Sequence, residues 1–146
     1  MKFKLINESG PKTYAIIFDK GDEVIANLQK FATKQHLLAC HFTAIGAFND
    51  VVLGFFQPER KEYKKIPIHE QVEVLSLAGD VSLKDEMPNI HAHVVIGKSD
   101  GTAHGGHLIE AHVFPTLELI LVESPKYVKR RMDKETGFAP IDLDAA

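Results

Sequence analysis

The chain has no tryptophan and a single cysteine, Cys40, among its 146 residues. One thiol excludes an intrachain disulfide, so a packed core must hold the fold, and a reducing cytoplasmic setting is expected. Cys40 reads as a small buried apolar residue, because a reactive cysteine needs a base and electropositive surroundings that no neighbouring pattern supplies. No stretch approaches the ~18 consecutive apolar residues of a membrane helix, so no membrane partner is expected. The segment from Met1 to Asn7 alternates lysines with apolar side chains and lacks the apolar centre of a signal peptide. A basic excess is missing too. Seventeen Lys and Arg face 20 Asp and Glu, a net charge of −3, which opposes a broad nucleic-acid-binding surface. Glycine-rich phosphate loops and the GxSxG nucleophile pattern are absent, leaving nucleotide binding and serine hydrolysis without sequence support. There is no repeat, low-complexity tract or linker.

What is present fits one globular domain over residues 1–146. Hydrophobic residues make up 45% and charged residues 25%. A chain of this size buries about 68–70% of its unfolded surface, enough for one core. Residues 1–11 are expected as an N-terminal tail ended by the breaker cluster Asn7, Glu8, Ser9, Gly10 and Pro11. Thr13 to Phe18 reads as a strand. A helix follows to about Gln35, capped by Asp22, with Val24, Ile25, Leu28, Phe31 and Ala32 on one face. Ala39 to Phe56 is strand-like, interrupted at Gly46 and at Asn49-Asp50. Gln57 to Lys65 reads as a loop or an exposed edge. Val72 to Leu83 is a strand expected to bulge or bend at Gly79. Ile90 to Gly97 and Ala103 to Ile109 flank Ser99-Asp100-Gly101, a hairpin signal. Leu117 to Val122 completes the set. One helix and six or seven strands predict an α+β domain on a largely antiparallel sheet.

The chemistry concentrates in the histidines. Five of the eight lie between His91 and His112. His91 and His93 are two apart on a strand, so both rings leave the same face. A three-residue hairpin loop at 99–101 pairs Lys98 with Thr102, so residues whose numbers sum to 200 are opposed and His107 lies across from His93. Opposed Cβ atoms are roughly 4.5–5.5 Å apart, close enough for three imidazoles to converge on one metal ion. A two-residue loop would slip the register by one step, which a bulge at Gly105-Gly106 could restore. Three imidazoles with an open position form a catalytic zinc pattern; imidazole also suits nickel, copper and iron. His104 is out of phase with His107 and reads as an exposed hairpin residue. His112 is less persuasive still, and His36, His41 and His69 have no partner in the pattern.

Among the carboxylates, Glu73 lies in the apolar strand at Val72 to Leu77. It either faces the metal pocket as catalytic general base or faces solvent. Glu110 has strand phase opposite to His107 and is a weaker pocket residue. Lys126, Lys129, Arg130, Arg131 and Lys134 form a basic cluster. It lacks aromatic interleaving beyond Tyr127 and reads as a solvated face rather than a nucleic-acid contact.

Residues 44–54 (AIGAFNDVVLG), 72–79 (VEVLSLAG), 91–97 (HAHVVIG), 105–111 (GGHLIEA), 131–137 (RMDKETG) and 141–143 (IDL) together resemble the plant-and-prokaryote-conserved (PPC) domain in its stand-alone prokaryotic form. The likeness runs over about residues 12–143. It implies a strongly bent, largely antiparallel or mixed sheet with a flanking helix, similar in fold to acetolactate decarboxylase, and assembly as a homotrimer. It also implies a metal site, commonly zinc, at the HxH pair and the GGH histidine, which here are His91, His93 and His107. The expected function is a trimeric zinc-binding protein with an open site for a small-molecule ligand or substrate. If it is an enzyme, a metal-dependent lyase or hydrolase is expected. The alternative is a DNA-binding regulator. In plant members AT-hook segments make the DNA contact, and this chain has no Arg-Gly-Arg core.

Overall fold

The computed structural model describes residues 1–7, 9–125 and 128–144. The elements in chain order are β1 (Lys2–Asn7), β2 (Thr13–Phe18), α1 (Val24–Gln35), β3 (Cys40–Gln57), β4 (Glu62–Ile68), β5 (Val72–Lys84), β6 (Met87–Gly97), β7 (Ala103–Glu123), β8 (Lys129–Arg130) and β9 (Ile141–Asp142). They form one mixed sheet with a single α-helix among the described residues. Every strand pairing is antiparallel except the contact of β5 with β8.

Two long strands organise this sheet. β3 pairs with β5 through its first half, with β4 through its second half, and with β7 along most of its length. β7 also pairs with β2 and β6. Because β5 pairs with β6, the ladder β3–β5–β6–β7 returns to β3. Such a circuit closes only if the sheet curls on itself. The breaks expected at Gly46 and Asn49-Asp50 are therefore register shifts within one 18-residue strand, where bulges let the strand turn. The two expected strands at 103–109 and 117–122 are likewise one strand of 21 residues. Its pairing with β3 skips a step around Pro115, which has no N–H to give to a ladder.

The interior is aliphatic and aromatic. Phe18, Leu28, Phe42, Phe48, Leu53, Leu77, Ile96, Leu117 and Leu119 are all fully buried. In β6 the alternation is strict, with Ala92, Val94 and Ile96 inside, so His91 and His93 must leave the other face. Cys40 is buried in the same core, and burial, reinforced by the Glu123 charge, pushes its thiol up to about 12. It is the inert residue expected.

Three expectations change and one open alternative is resolved. The tail at residues 1–11 contains a strand, β1, paired with β2; its alternation of lysine and apolar residues suits an exposed edge. The helix cap is Glu23, whose carboxylate accepts the N–H groups of Ile25 and Ala26. Asp22 instead receives the Asp19 N–H and the N-terminal ammonium. Gln57 to Lys65 includes the start of β4, which among the described residues pairs only with β3, so the edge alternative holds. Finally, the register runs unbroken through Gly79, and the β5–β6 bulge lies between Val74 and Ser76. Gly79 is required for space: a Cβ there would lie 2.4 Å from Phe42 Cζ and 2.5 Å from the His91 carbonyl oxygen.

Candidate metal centre

The hairpin joining β6 to β7 has the expected register. Lys98 donates its N–H to the Thr102 carbonyl, and His93 pairs with His107, Val94 with Gly106 and Val95 with Gly105. No bulge at Gly105-Gly106 is needed. One ligand nitrogen from each of His91, His93 and His107 can be chosen so that all lie within 4.8 Å of one another. The ring centroids of these histidines are 5.1–5.5 Å apart.

Two observations bear on what these rings could hold. His91 Nε2 and His107 Nδ1 are buried and have no hydrogen-bond partner. A buried polar atom without a partner is costly, and two such nitrogens on histidines whose ligand atoms can lie within 4.8 Å of one another suit a transition metal. Burial, then the neighbouring His91 and His93, hold His107 well below its usual range, at about 4. Burial and His91 also lower His93. Both rings are therefore neutral at pH 7, the form that binds a metal.

The remaining atoms of the rings are held from outside. β5 and β6 are joined by a two-residue turn, Asp85-Glu86, with both residues at positive φ. This register sets Asp80 opposite His91. His91 Nδ1 is approached by Arg130 Nη2 at 3.2 Å and by Asp80 Oδ2 at 3.5 Å, which engages that nitrogen and leaves Nε2 as the one able to ligate a metal. Arg130 completes the brace. Its side chain is only 5% exposed. Its Nη2 donates to both Asp80 oxygens at 2.9 Å, its Nε to Ser82 Oγ at 2.7 Å and its Nη1 to the Ala139 carbonyl at 3.0 Å. Burial pushes the Asp80 carboxyl up, but the hydrogen bonds from His91, Arg130 and Ser82 outweigh it and keep it below the usual carboxylate value. From β4, Tyr63 stacks on His107 with centroids 4.5 Å apart.

Sequence patterns do not single out Asp80, Arg130 or Tyr63 as site residues. The signal for Asp80 is the Asp85-Glu86 turn, a two-residue hairpin without the glycine or asparagine that usually marks one. Arg130, expected on a solvated basic face, is buried instead, and Tyr63 carries no signal.

Glu73 is not brought to the histidines. It is exposed and opposes Gly97, four residues along β6 from His93 or roughly 13 Å at strand spacing. The solvent-facing alternative describes it, and the carboxylate at the site is Asp80. Glu110 is also exposed and pairs with Val52. His104 is exposed opposite Ile96. His36 caps α1 in the left-handed region, and His69 pairs with Asp50. Lys126 and Tyr127 lie outside the described residues. The rest of the basic cluster is largely neutralised: Lys129 meets Glu86, Arg130 meets Asp80 and Arg131 meets Asp142.

The curled mixed sheet carries on its outer face a cluster of three histidines, His91, His93 and His107, of a kind that could hold a metal ion. Residues 6–125 match the family model of the Plants and Prokaryotes Conserved (PCC) domain; the chain belongs to that family. A PPC protein from Pyrococcus horikoshii is 34% identical with a TM-score of 0.84, covering 97% of this chain and 94% of that one. A metal-containing protein from Archaeoglobus fulgidus is 33% identical with a TM-score of 0.82, covering 96% of each chain. A protein from Bacteroides thetaiotaomicron, named as a candidate DNA-binding protein, is 25% identical with a TM-score of 0.88, covering 96% of each. A Staphylococcus aureus protein described as similar to alpha-acetolactate decarboxylase shares the fold at 10% identity and a TM-score of 0.57, covering 86% of this chain and 55% of that one. Among curated proteins, a bifunctional GlmU protein from Synechococcus is 24% identical over 136 residues, 91% of this chain. The chain spans about a fifth (21%) of that relative's length. No helix among the described residues is long and apolar enough to cross a membrane.

Proposed function

We propose that this chain is a homotrimeric metalloprotein whose His91, His93 and His107 hold one divalent transition metal, zinc first, with a position open to a small-molecule ligand or substrate. The observation that carries this reading is the pair of buried, partnerless nitrogens, His91 Nε2 and His107 Nδ1, beside His93. The similar metal-containing protein of Archaeoglobus fulgidus supports it. A zinc ion held by three neutral imidazoles supplies Lewis acidity. The chain's own part is orientation: Asp80 and Arg130 fix the His91 ring, and Tyr63 fixes the His107 ring. No carboxylate stands free beside the histidines among the described residues, since Asp80 is engaged by Arg130. A general base must therefore come from one of the histidines, the ligand or another subunit if the site catalyses a lyase or hydrolase reaction.

The trimer is supported by an exposed apolar face. Ile17, Ile45, Leu75 and Ile120 line one groove across β2, β3, β5 and β7, with Ile45 61% and Leu75 55% exposed. An apolar patch rimmed by polar residues marks an interaction surface.

DNA binding is the second reading, favoured by the names of similar proteins from Bacteroides thetaiotaomicron and Ralstonia eutropha. The acidic partners of Lys129, Arg130 and Arg131 weaken it, as does a net charge of −3 that trimerisation would triple.

Metal content per subunit after zinc loading and desalting tests the main reading. Wild type and His104→Ala should each retain one zinc, and His93→Ala should fall to near background. Equal zinc in all three, or loss only with His104→Ala, overturns the ligand assignment.

A further inference from the structure

Beside the histidines, and bounded by the C-terminal segment, lies a pocket of about 280 Å³ with His91 and His107 in its wall. Two features of its lining bear on what it could hold. Its charged side chains, Lys61, Lys84 and Arg130, are all cationic, and no carboxylate lines it, although the chain as a whole is acidic. Its apolar side is a connected set of rings: Tyr63 contacts Phe56 at 5.3 Å, Phe56 contacts Phe138 at 6.1 Å, and Phe138 contacts His91 at 6.0 Å between centroids.

The three cations are not equivalent. Arg130 is consumed by Asp80, Ser82 and the Ala139 carbonyl. Lys61 donates to the Lys134 carbonyl at 2.6 Å. Its stem is pressed by Gly137, where φ is +71° and a Cβ would fall 2.6 Å from Lys61 Cβ. Lys84, half-buried at the end of β5, makes no ion pair among the described residues. A lysine lining an aromatic-walled pocket, with no counter-charge among the described residues, is available to an anion.

We propose that this pocket takes a small organic anion, a carboxylate or phosphate monoester. Its acid group meets Lys84 at the end of β5, and its apolar body lies on the Phe56–Phe138 wall, in the same pocket as His91 and His107. The proposal rests on the metal reading of the three histidines, which sets the adjacent open position. The volume of about 280 Å³, just below the roughly 300–1,000 Å³ common for ligand sites, suits a body of about one ring rather than a nucleotide. An inorganic anion would leave the aromatic wall unused.

Isothermal titration of the zinc-loaded chain with benzoate, phenyl phosphate, inorganic phosphate and benzamide tests it. Benzoate or phenyl phosphate should bind more tightly than inorganic phosphate or neutral benzamide, and the tighter of the two identifies the acid group. Lys84→Met should weaken that binding by roughly tenfold, the loss of a charge-assisted hydrogen bond, with zinc content unchanged. Lys61→Met is a second variant, expected to weaken binding less, and thermal unfolding checks that both are folded. Benzamide equal to benzoate, inorganic phosphate equal to phenyl phosphate, or two folded variants indistinguishable from wild type would each overturn the proposal. If the protein retains no zinc yet still binds organic anions through Lys84, the metal reading falls and the anion pocket stands. If zinc is retained and no organic anion binds, the anion pocket falls and the metal reading stands.

Discussion

A histidine can ligate a metal only if its proton and its other nitrogen are both managed, and here the management lies in residues distant in the chain. His91 and Asp80 meet because β5 and β6 are an antiparallel hairpin. Arg130, fifty residues beyond Asp80, then holds the carboxylate in place. Removing the carboxylate should therefore act on the metal without touching a ligand. Asp80→Asn and Asp80→Ala are each expected to weaken zinc about 10–100-fold, the range for a lost ligand-orienting partner, as measured by competition with a chromophoric chelator. Asp80→Ala also leaves Arg130 without its counter-charge and should lower thermal stability further than Asp80→Asn. Zinc affinity unchanged in both variants would show that the His91 ring needs no brace.

At the scale of elements, one crowded crossing joins the core to the site. Gly79 on β5 lies between the Phe42 ring of β3 and the His91 carbonyl of β6. Phe42 is fully buried, and the carbonyl belongs to one of the three clustered histidines. Neither can retreat without disturbing packing or the β5–β6 ladder. Gly79→Ala is expected to cost about 1–3 kcal/mol, the ordinary range for overpacking, read as a lowered denaturation midpoint at unchanged slope. Zinc affinity should fall with it, because the strand carrying His91 must shift. A variant as stable as wild type would mean that the three strands have more slack than their spacing implies.

For the whole molecule, the decisive feature is the face that its own fold leaves uncovered. The single helix contacts β6 and β7 and does not reach the groove lined by Ile45, Leu75 and Ile120. Burying those side chains between subunits recovers hydrophobic free energy that the monomer forgoes. Sedimentation equilibrium should give about three times the chain mass of 16.2 kDa. Ile45→Glu combined with Leu75→Glu, both on the exposed face, should yield a folded monomer. A wild-type monomer at micromolar concentration would exclude the trimer, and an unchanged trimer in the double variant would locate the interface elsewhere.

The local part of this protein was legible in its residues. Strand alternation put His91 and His93 on one face, and the Ser99-Asp100-Gly101 turn fixed His107 opposite His93, because both relations span only a few residues of regular backbone. The same locality made β2 and α1 readable, apart from a cap that moved by one residue from Asp22 to Glu23. Tertiary structure decided what short-range patterns cannot carry. It merged interrupted runs into the long strands β3 and β7, since bulges keep a ladder going where sequence punctuation reads as an end. It set Glu73 in solvent and Asp80 at the site, a choice made by hairpin register rather than by which strand holds a carboxylate. It also turned Arg130 from an apparent surface cation into a buried brace, because an arginine's environment is fixed by whatever packs over it, here the segment that returns across β5.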